Sequence, residues 1–394
     1  MILEEPALPS TNRNLNRLAN LKLVKQQLFN HPAISRAAVA RNTGLTRSTT
    51  SSLFAELDRQ GFVRHLGRGQ AAESGGRKPE LYTINTHYGY IACFNLTYDS
   101  LYVMFLYADG QEISFQQIAL TNHELLQVME IINQQLATTA AHNDTEHGLL
   151  GISFSIHAVV EDDQIVHSPY YPLHGINLQK YYQDRYHVPV KIGNEANLAA
   201  IYERDYGKQN SADNFLVLSI HRGPGIGVIA NRELFTGYRG MVGELGSVKI
   251  PNRQGRVTEL GDVFSSDHFL ARLGQATDTT INNFTAAQQA VRQHGDATKA
   301  VLTDFATVTG QLLFNLQMLY GPERILINSP LVESIPELGT QIQAAARQSG
   351  CQVPVTIIKG SRYVSLLGAG ALLIRQVLGL EDVTLQFQWF RKIG

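Results

Sequence analysis

Residues 35–68 read SRAAVARNTGLTRSTTSSLFAELDRQGFVRHLGR, and their spacing predicts two short helices, a tight turn and the start of a hairpin. Ser35 is placed to cap the first helix, with Val39 and Ala40 turned inward. Gly44 supplies the turn, because it accepts positive φ at no steric cost. Thr46 caps the second helix, which sets Thr50, Leu53 and Leu57 on one face. Gly61 ends that helix and Phe62-Val63 open a strand. This is the pattern of a winged helix-turn-helix. Its second helix leaves Arg47, Ser48, Ser51 and Ser52 on the outward face near its N-terminus, where such a helix meets base edges in the major groove. Short hydroxyl side chains allow close approach to phosphates, and an arginine can take a guanine edge with two hydrogen bonds.

The flanks agree. Upstream, Leu18, Leu21, Val24 and Leu28 fall on one face of a further helix. Downstream, a glycine-rich wing runs from Gly67 to Pro79 and carries Arg68, Arg77 and Lys78. With Arg36 at the start of the first helix, these complete the expected DNA-contacting set. Residues 1–80 hold 12 basic and 6 acidic side chains, a net +6 on a chain whose total is −1. A basic module on an acidic body is what phosphate binding requires.

The chain has 394 residues, enough for two or three domains. Hydrophobic residues make up 44% and charged ones 17%, which excludes a disordered chain. No run is long and apolar enough to span a membrane, and the N-terminus lacks the basic-then-apolar pattern of a signal peptide. Two cysteines, Cys93 and Cys351, form no disulfide framework, so a cytoplasmic, nucleoid-associated location is expected.

After about Asn85 a second architecture begins. Strands at Tyr90–Asn95, Leu101–Tyr107 and Gln111–Leu120 precede a helix at Glu124–Ala141. A strand at Leu149–Ile156, a helix at Leu178–Tyr186, a short strand Val188–Ile192 and a helix Glu195–Tyr206 complete the set. The order then restarts, with strands Phe215–Ile220, Gly227–Ala230 and Leu245–Ile250. Helices Val263–Leu273, Phe284–Gln293 and Asp296–Tyr320 follow. Strand Arg324–Asn328, helix Ile335–Gln348, strand Val355–Ile357 and helix Val364–Val377 close the chain. The element order predicts a duplicated α/β body with a cleft between its lobes. The expected domains are 1–85, 86–207 and 208–394, with the last helix packing back on the first lobe.

Four stretches carry a family resemblance: the N-terminal winged helix with its GGRKP wing, PVKIGNEANLAAIYERDYG, RGPGIGVIANRELFTGYRGMVGELGSVKI, and the closing GAGALL helix. The chain resembles the ROK family of repressors, open-reading-frame products and sugar kinases over nearly its whole length. The NEAN tetrapeptide and the lack of a cysteine cluster look most like the xylose-operon repressors of low-GC Gram-positive bacteria. The resemblance implies a two-lobed, actin-like and ribonuclease-H-like ROK domain, dimeric or of higher order.

Family kinases hold ATP phosphates with an acidic-Gly-Gly-Thr loop. Here FNLTYDS puts Asn95-Leu96-Thr97-Tyr98 at that place, without glycines for phosphate or a carboxylate for magnesium. A second glycine pair is replaced by Asn328-Ser329-Pro330. The RGPGIG loop survives, and a tight hairpin explains it equally well. No ATP cofactor and no catalysis are expected.

For the sugar pocket the resemblance implies Asn194, Glu195 and Glu244. A carboxylate accepts two hydrogen bonds from a diol, and an amide offers a donor and an acceptor. The family base is an Asp where Glu195 stands, one methylene longer. Asn194 also suits a helix cap, with Glu195 at the positive helix end. Ser247 replaces a family histidine that serves sugar and zinc, and the cysteine cluster is absent, so no metal is expected. Asp262, or alternatively Glu259, aligns with a pocket-closing acid, and His174 with a loop over the sugar. Ser155-Ile156-His157 replace a family Pro-Gly turn and stand to intrude on the pocket.

The reading is a sugar-responsive repressor of a carbohydrate operon. Its partners would be near-palindromic operator DNA and a monosaccharide, xylose first and glucose second. Two alternatives stay open: a sugar kinase with a fused DNA-binding domain, and a repressor answering to a protein partner.

Overall fold

The computed structural model describes residues 12–70, 78–121, 124–207, 212–251 and 255–388, so Arg77 of the expected wing lies outside the described residues. The chain begins with α1 (Asn12–Asn30), β1 (Ile34–Ser35), α2 (Arg36–Thr43), α3 (Arg47–Arg59), β2 (Val63–Arg68) and β3 (Glu80–Ile84). Ser35 Oγ accepts from the Ala38 amide at 3.2 Å, and Thr46 Oγ1 from the Thr49 amide at 3.1 Å. Gly44 adopts φ 70° between the two helices. The three strands pair antiparallel in the order β1-β3-β2. Val24, Leu28, Val39, Leu53, Phe54, Leu57 and Phe62 form the core beneath them. Burying that many large apolar side chains, at about 1.5–3 kcal/mol each, holds the three helices to the sheet.

The body continues with β4 (Tyr90–Leu96), β5 (Ser100–Tyr107), β6 (Glu112–Ala119), α4 (Leu125–Ala141), β7 (Leu149–Ile156), β8 (Val159–Glu161), β9 (Gln164–His167), α5 (Leu178–Tyr186), β10 (Val190–Asn194) and α6 (Glu195–Tyr206). The second half runs β11 (Phe215–Ile220), β12 (Pro224–Ala230), β13 (Glu233–Leu234), β14 (Lys249–Pro251), β15 (Val257–Glu259), α7 (Leu260–Val263), α8 (Ser266–Thr277), α9 (Phe284–Gln293) and α10 (Gly295–Tyr320). It ends with β16 (Arg324–Asn328), α11 (Pro330–Ser334), α12 (Pro336–Gln348), β17 (Val355–Ile357) and α13 (Ser361–Leu378).

The two five-stranded sheets have one topology. Each is built from three antiparallel strands in meander, with two further strands parallel to the first: β10-β7-β4-β5-β6 and β17-β16-β11-β12-β13. The duplication expected from element order is therefore present in the strand pairing. Helices α6 and α13 pack together as a spine between the sheets, α6 against β11 and β12, α13 against β4, β7 and β10. A Cβ on Gly368 would lie 1.9 Å from the Leu198 carbonyl, so the small residues of α13 permit this approach. The chain after α13 folds back on α1. Arg375 pairs with the buried Asp205 at 2.8 Å, Lys22 Nζ with Asp382 at 2.8 Å, and the Phe387 ring meets Phe29 at 4.8 Å.

Two expectations change. The strand expected at Leu245–Ile250 is a 3₁₀ turn, Leu245–Ser247, followed by the short β14. Gly243, at φ 98°, turns the chain out of extended geometry just before it. The helix expected at Val263–Leu273 splits into α7 and α8, because Ser265 is extended and caps the second. The β8–β9 hairpin was not foreseen. Its turn uses Asp162 and Asp163 at φ 48° and 61°, a conformation that Asp tolerates but that Gly or Asn signals more clearly.

Candidate functional site

Two regions carry the chemistry. On the first module, Arg47, Ser48, Ser51 and Ser52 are exposed on α3 while Thr50, Leu53, Phe54 and Leu57 are buried beneath them. Arg68 on β2 and Lys78 before β3 are exposed as well. Arg36 departs from its expected role. Its guanidinium lies 4.8 Å from the Tyr82 ring centroid and 5.5 Å from that of Phe54, and its Nε is buried. It holds α2 to the sheet rather than facing outward.

The second region lies where β10 runs into α6. Asn194 caps α6: its Oδ1 accepts from the amides of Ala196 and Asn197 at 2.9 and 3.2 Å. The same side chain donates through Nδ2 to the Ala158 carbonyl at 3.0 Å and to Glu244 Oε1 at 3.4 Å. Asn194 and Glu244 thus meet, as expected, although 50 residues separate them. The preceding Gly243 makes this possible, since a Cβ there would lie 2.0 Å from the Ile226 carbonyl. Burial raises the pKa of Glu244 above the ordinary carboxylate value, and the His167 imidazole on β9 partly opposes that. A half-buried carboxyl group held by one amide keeps acceptor capacity for a hydroxyl-rich ligand.

Glu195 does not join them, which corrects the expectation. It is 3% exposed and faces the second sheet. Ser219 Oγ donates to its Oε2 at 2.6 Å, and Asn328 Nδ2 to its Oε1 at 2.9 Å. His221 Nε2 is 3.2 Å from Oε1, off the axis of a hydrogen bond. Burial acts to raise the Glu195 pKa, but His221, His157 and the Ser219 hydroxyl outweigh it and hold it at about 2. The end of α6 favours the same anionic form.

The remaining expected pocket groups turn elsewhere. Asp262 is exposed, and its carboxylate accepts from Thr258 Oγ1 at 3.0 Å and the Glu259 amide at 3.4 Å, capping α7. Glu259 completes that capping box and pairs with Lys249 at 2.5 Å. Both acids are thus spent locally. Ser247 is exposed in the 3₁₀ turn that Glu244 opens, and His174 is exposed at φ 47° beside Gly175. The apolar cavity behind His157, Tyr170 and Leu96 holds about 10 Å³, room for one water and too little for a monosaccharide.

A model of the ROK family matches residues 100–376. The chain belongs to the ROK family. It is 36% identical to the xylose repressor of Lactiplantibacillus pentosus over 96% of this chain and 98% of that one. It is 29% identical to the xylose repressor of Staphylococcus xylosus over 94% and 98%. Among solved structures, a ROK family transcriptional regulator described as a homolog of E. coli MLC protein superposes with TM-score 0.72 at 19% identity, covering 93% of this chain and 98% of that one. A ROK family glucokinase from Streptomyces griseus, solved with glucose and AMPPNP, gives TM-score 0.63 at 17% identity over 72% of this chain and 99% of that one. These two likenesses concern the fold.

Within this ROK domain, the ends of β4 and β16 at the cleft carry buried amide side chains. Asn95 is 4% exposed and pairs across the strands with Ser155, while Asn328 is fully buried against Ser219. The surviving glycine loop serves packing: a Cβ on Gly227 would lie 2.2 Å from the Ala196 carbonyl, so Gly227 lets the first turn of α6 lie on β12. Sequence reasoning missed Ser219, His221 and the Ala158 carbonyl. The amide of Asn328 was the visible signal for Ser219, since a polar side chain at a buried strand end needs a partner.

Proposed function

We propose that this ROK protein is a sugar-responsive transcriptional repressor of a carbohydrate-utilisation operon, with xylose as first candidate effector and glucose as second. The observation that carries the reading is the α3 face: Arg47, Ser48, Ser51 and Ser52 stand exposed on a basic module attached to the ROK body. Residues 1–85 act as a winged helix-turn-helix, and residues 86–207 and 208–394 as the two lobes of an actin-like body. A homodimer presents two recognition helices to a near-palindrome with half-sites whole turns apart, about 34 Å each. The effector sits at Asn194 and Glu244, and its differential affinity for one lobe arrangement shifts the dimer on DNA. The names of the repressor relatives support xylose, and the protein acts in the cytoplasm.

Catalysis is not part of the reading. Asn95 and Asn328 occupy strand ends where a phosphate would need backbone access, and Glu195 is bound by Ser219 and Asn328 where a base would need a substrate hydroxyl. The test starts by selecting bound duplexes from a random library with the purified protein. Xylose and glucose are then titrated against the selected duplex by fluorescence anisotropy. Enrichment of a two-fold-related motif, with affinity changed by one of the sugars, is expected. No enrichment, or an enriched motif indifferent to every sugar of a panel, overturns the reading.

A further inference from the structure

The loop before β12 makes a contact that the proposed repressor function has not used. Arg222 comes from the second sheet's side of the cleft, and its guanidinium carbon lies 3.7 Å from the ring centroid of Tyr98, which follows β4 of the first sheet. The Tyr170 ring, also from the first half, is 5.9 Å from the same group and 5.9 Å from Tyr98. One residue earlier, the His221 ring meets His157 edge-on at 5.0 Å, and His157 in turn faces Tyr170 at 6.3 Å. Each side of this cluster is fixed to its own half. Arg222 pairs with Asp267 in the first turn of α8, and the His221 carbonyl accepts from the Ser266 amide at 2.8 Å. The turn holding Tyr98 is closed by Thr97 and Ser100, and Tyr171 donates to the Thr97 carbonyl at 2.5 Å.

Two preformed loops that meet through Arg222, His221, Tyr98, Tyr170 and His157 have the form of a latch. We propose that the stacking of Arg222 on Tyr98 latches the two halves of the body together and sets how readily the cleft closes on its effector. An arginine face over a tyrosine ring is a short-range contact, so it forms when the halves approach and is lost when they part. By favouring the closed form before ligand arrives, the latch raises apparent effector affinity without touching the effector. This regulatory role rests on the sugar-responsive reading, whereas the latch itself does not.

The test uses the full-length protein with Arg222→Ala, Tyr98→Ala, their double variant, and Tyr98→Phe. Hydrogen exchange without ligand is read at residues 97–100 and 221–224. Each alanine variant should speed exchange in both loops, the double variant no more than either single one, and Tyr98→Phe should match the parent. Xylose binding by calorimetry should weaken roughly three- to thirtyfold in the alanine variants, with operator affinity unchanged. If Arg222→Ala speeds exchange only in its own loop, or if the single effects add, there is no latch. If the latch passes but sugar affinity stays at the parent value, the regulatory role is wrong. If the parent binds no sugar, the sugar-responsive reading and the latch's regulatory role both fall, and the exchange data still decide whether the latch exists.

Discussion

Asn328 Nδ2 donates to Glu195 Oε1 at 2.9 Å, tying the end of β16 to the first residue of α6 across 133 positions of sequence. Ser219 Oγ completes the triangle, 2.6 Å from Glu195 and 3.1 Å from Asn328. A carboxylate that accepts from two buried donors is a structural joint. Glu195→Gln keeps the shape but turns an amide NH₂ toward one donor, leaving a buried group unsatisfied at about 1–3 kcal/mol. Urea unfolding should show that loss. Stability equal to the parent's would mean that the joint is not formed.

Acidification should weaken the fold in two steps. Burial and the neighbouring His221 lower the pKa of His157 to about 4, so below its unfolded value near 6.5 the unfolded chain binds a proton that the native chain refuses. Stability contributed by neutral His157 is therefore lost as pH falls from about 6.5 toward about 4. Glu195 then contributes a second loss between its unfolded value near 4.5 and about 2. Stability measured against pH in His157→Gln should lack the first slope and keep the second in reduced form, because His157 is one of the groups that lower the Glu195 pKa.

Much of the fold was legible, because long elements with a clear period specify themselves. Helices at Leu178–Tyr186 and Glu195–Tyr206, and strands at Phe215–Ile220 and Arg324–Asn328, lie where the pattern places them. The cap at Ser35 and the turn at Gly44 follow from local chemistry. The site was less legible, since direction is a tertiary property. Asn194 and Glu195 are adjacent in sequence, yet the step from strand to helix sends one side chain toward Glu244 and the other into the second sheet. Family position placed both in one pocket, and only packing separates them. Asp262 and Glu259 were ambiguous for a related reason: each acid is satisfied within four residues of its own position, apart from the Lys249 pair.

Two arginines of the first module should respond differently. Arg47 is exposed on α3, and Arg47→Ala should cost about 1–3 kcal/mol of operator binding and relax preference at one base position. Arg36 stacks on Tyr82 and Phe54, so Arg36→Ala should lower stability by about 0.5–2 kcal/mol with base preference unchanged. Anisotropy on a panel of operator variants at fixed salt separates the two. A shift in base preference in Arg36→Ala would reverse the assignment.

The pair Asp205–Arg375 holds the chain end against α6 and so against α1. Arg375 donates twice to Asp205, at 3.0 and 2.8 Å, and both are buried. Arg204 also donates twice to Asp205, at 3.0 Å each. Arg375→Ala therefore leaves the carboxylate paired on one side, and should cost less than the roughly 3–5 kcal/mol of a fully stranded buried charge, yet clearly more than an exposed pair. The exposed Lys22–Asp382 pair should be worth less than about 1 kcal/mol, so Asp382→Asn is a control. Chemical denaturation of both variants checks the contrast.

The central claim is that a sugar held at Asn194 and Glu244 governs operator binding through α3. It is tested most directly by titrating xylose, then glucose, into the parent–operator complex and the Glu244→Ala complex, followed by anisotropy. Glu244 is half-buried beside Asn194, so its loss leaves sugar hydroxyls unpaired at about 1–3 kcal/mol. Glu244→Ala should bind operator as the parent does, and the sugar that moves the parent should fail to move it at that concentration. Release of both proteins at one sugar concentration would contradict the account and place the effector elsewhere.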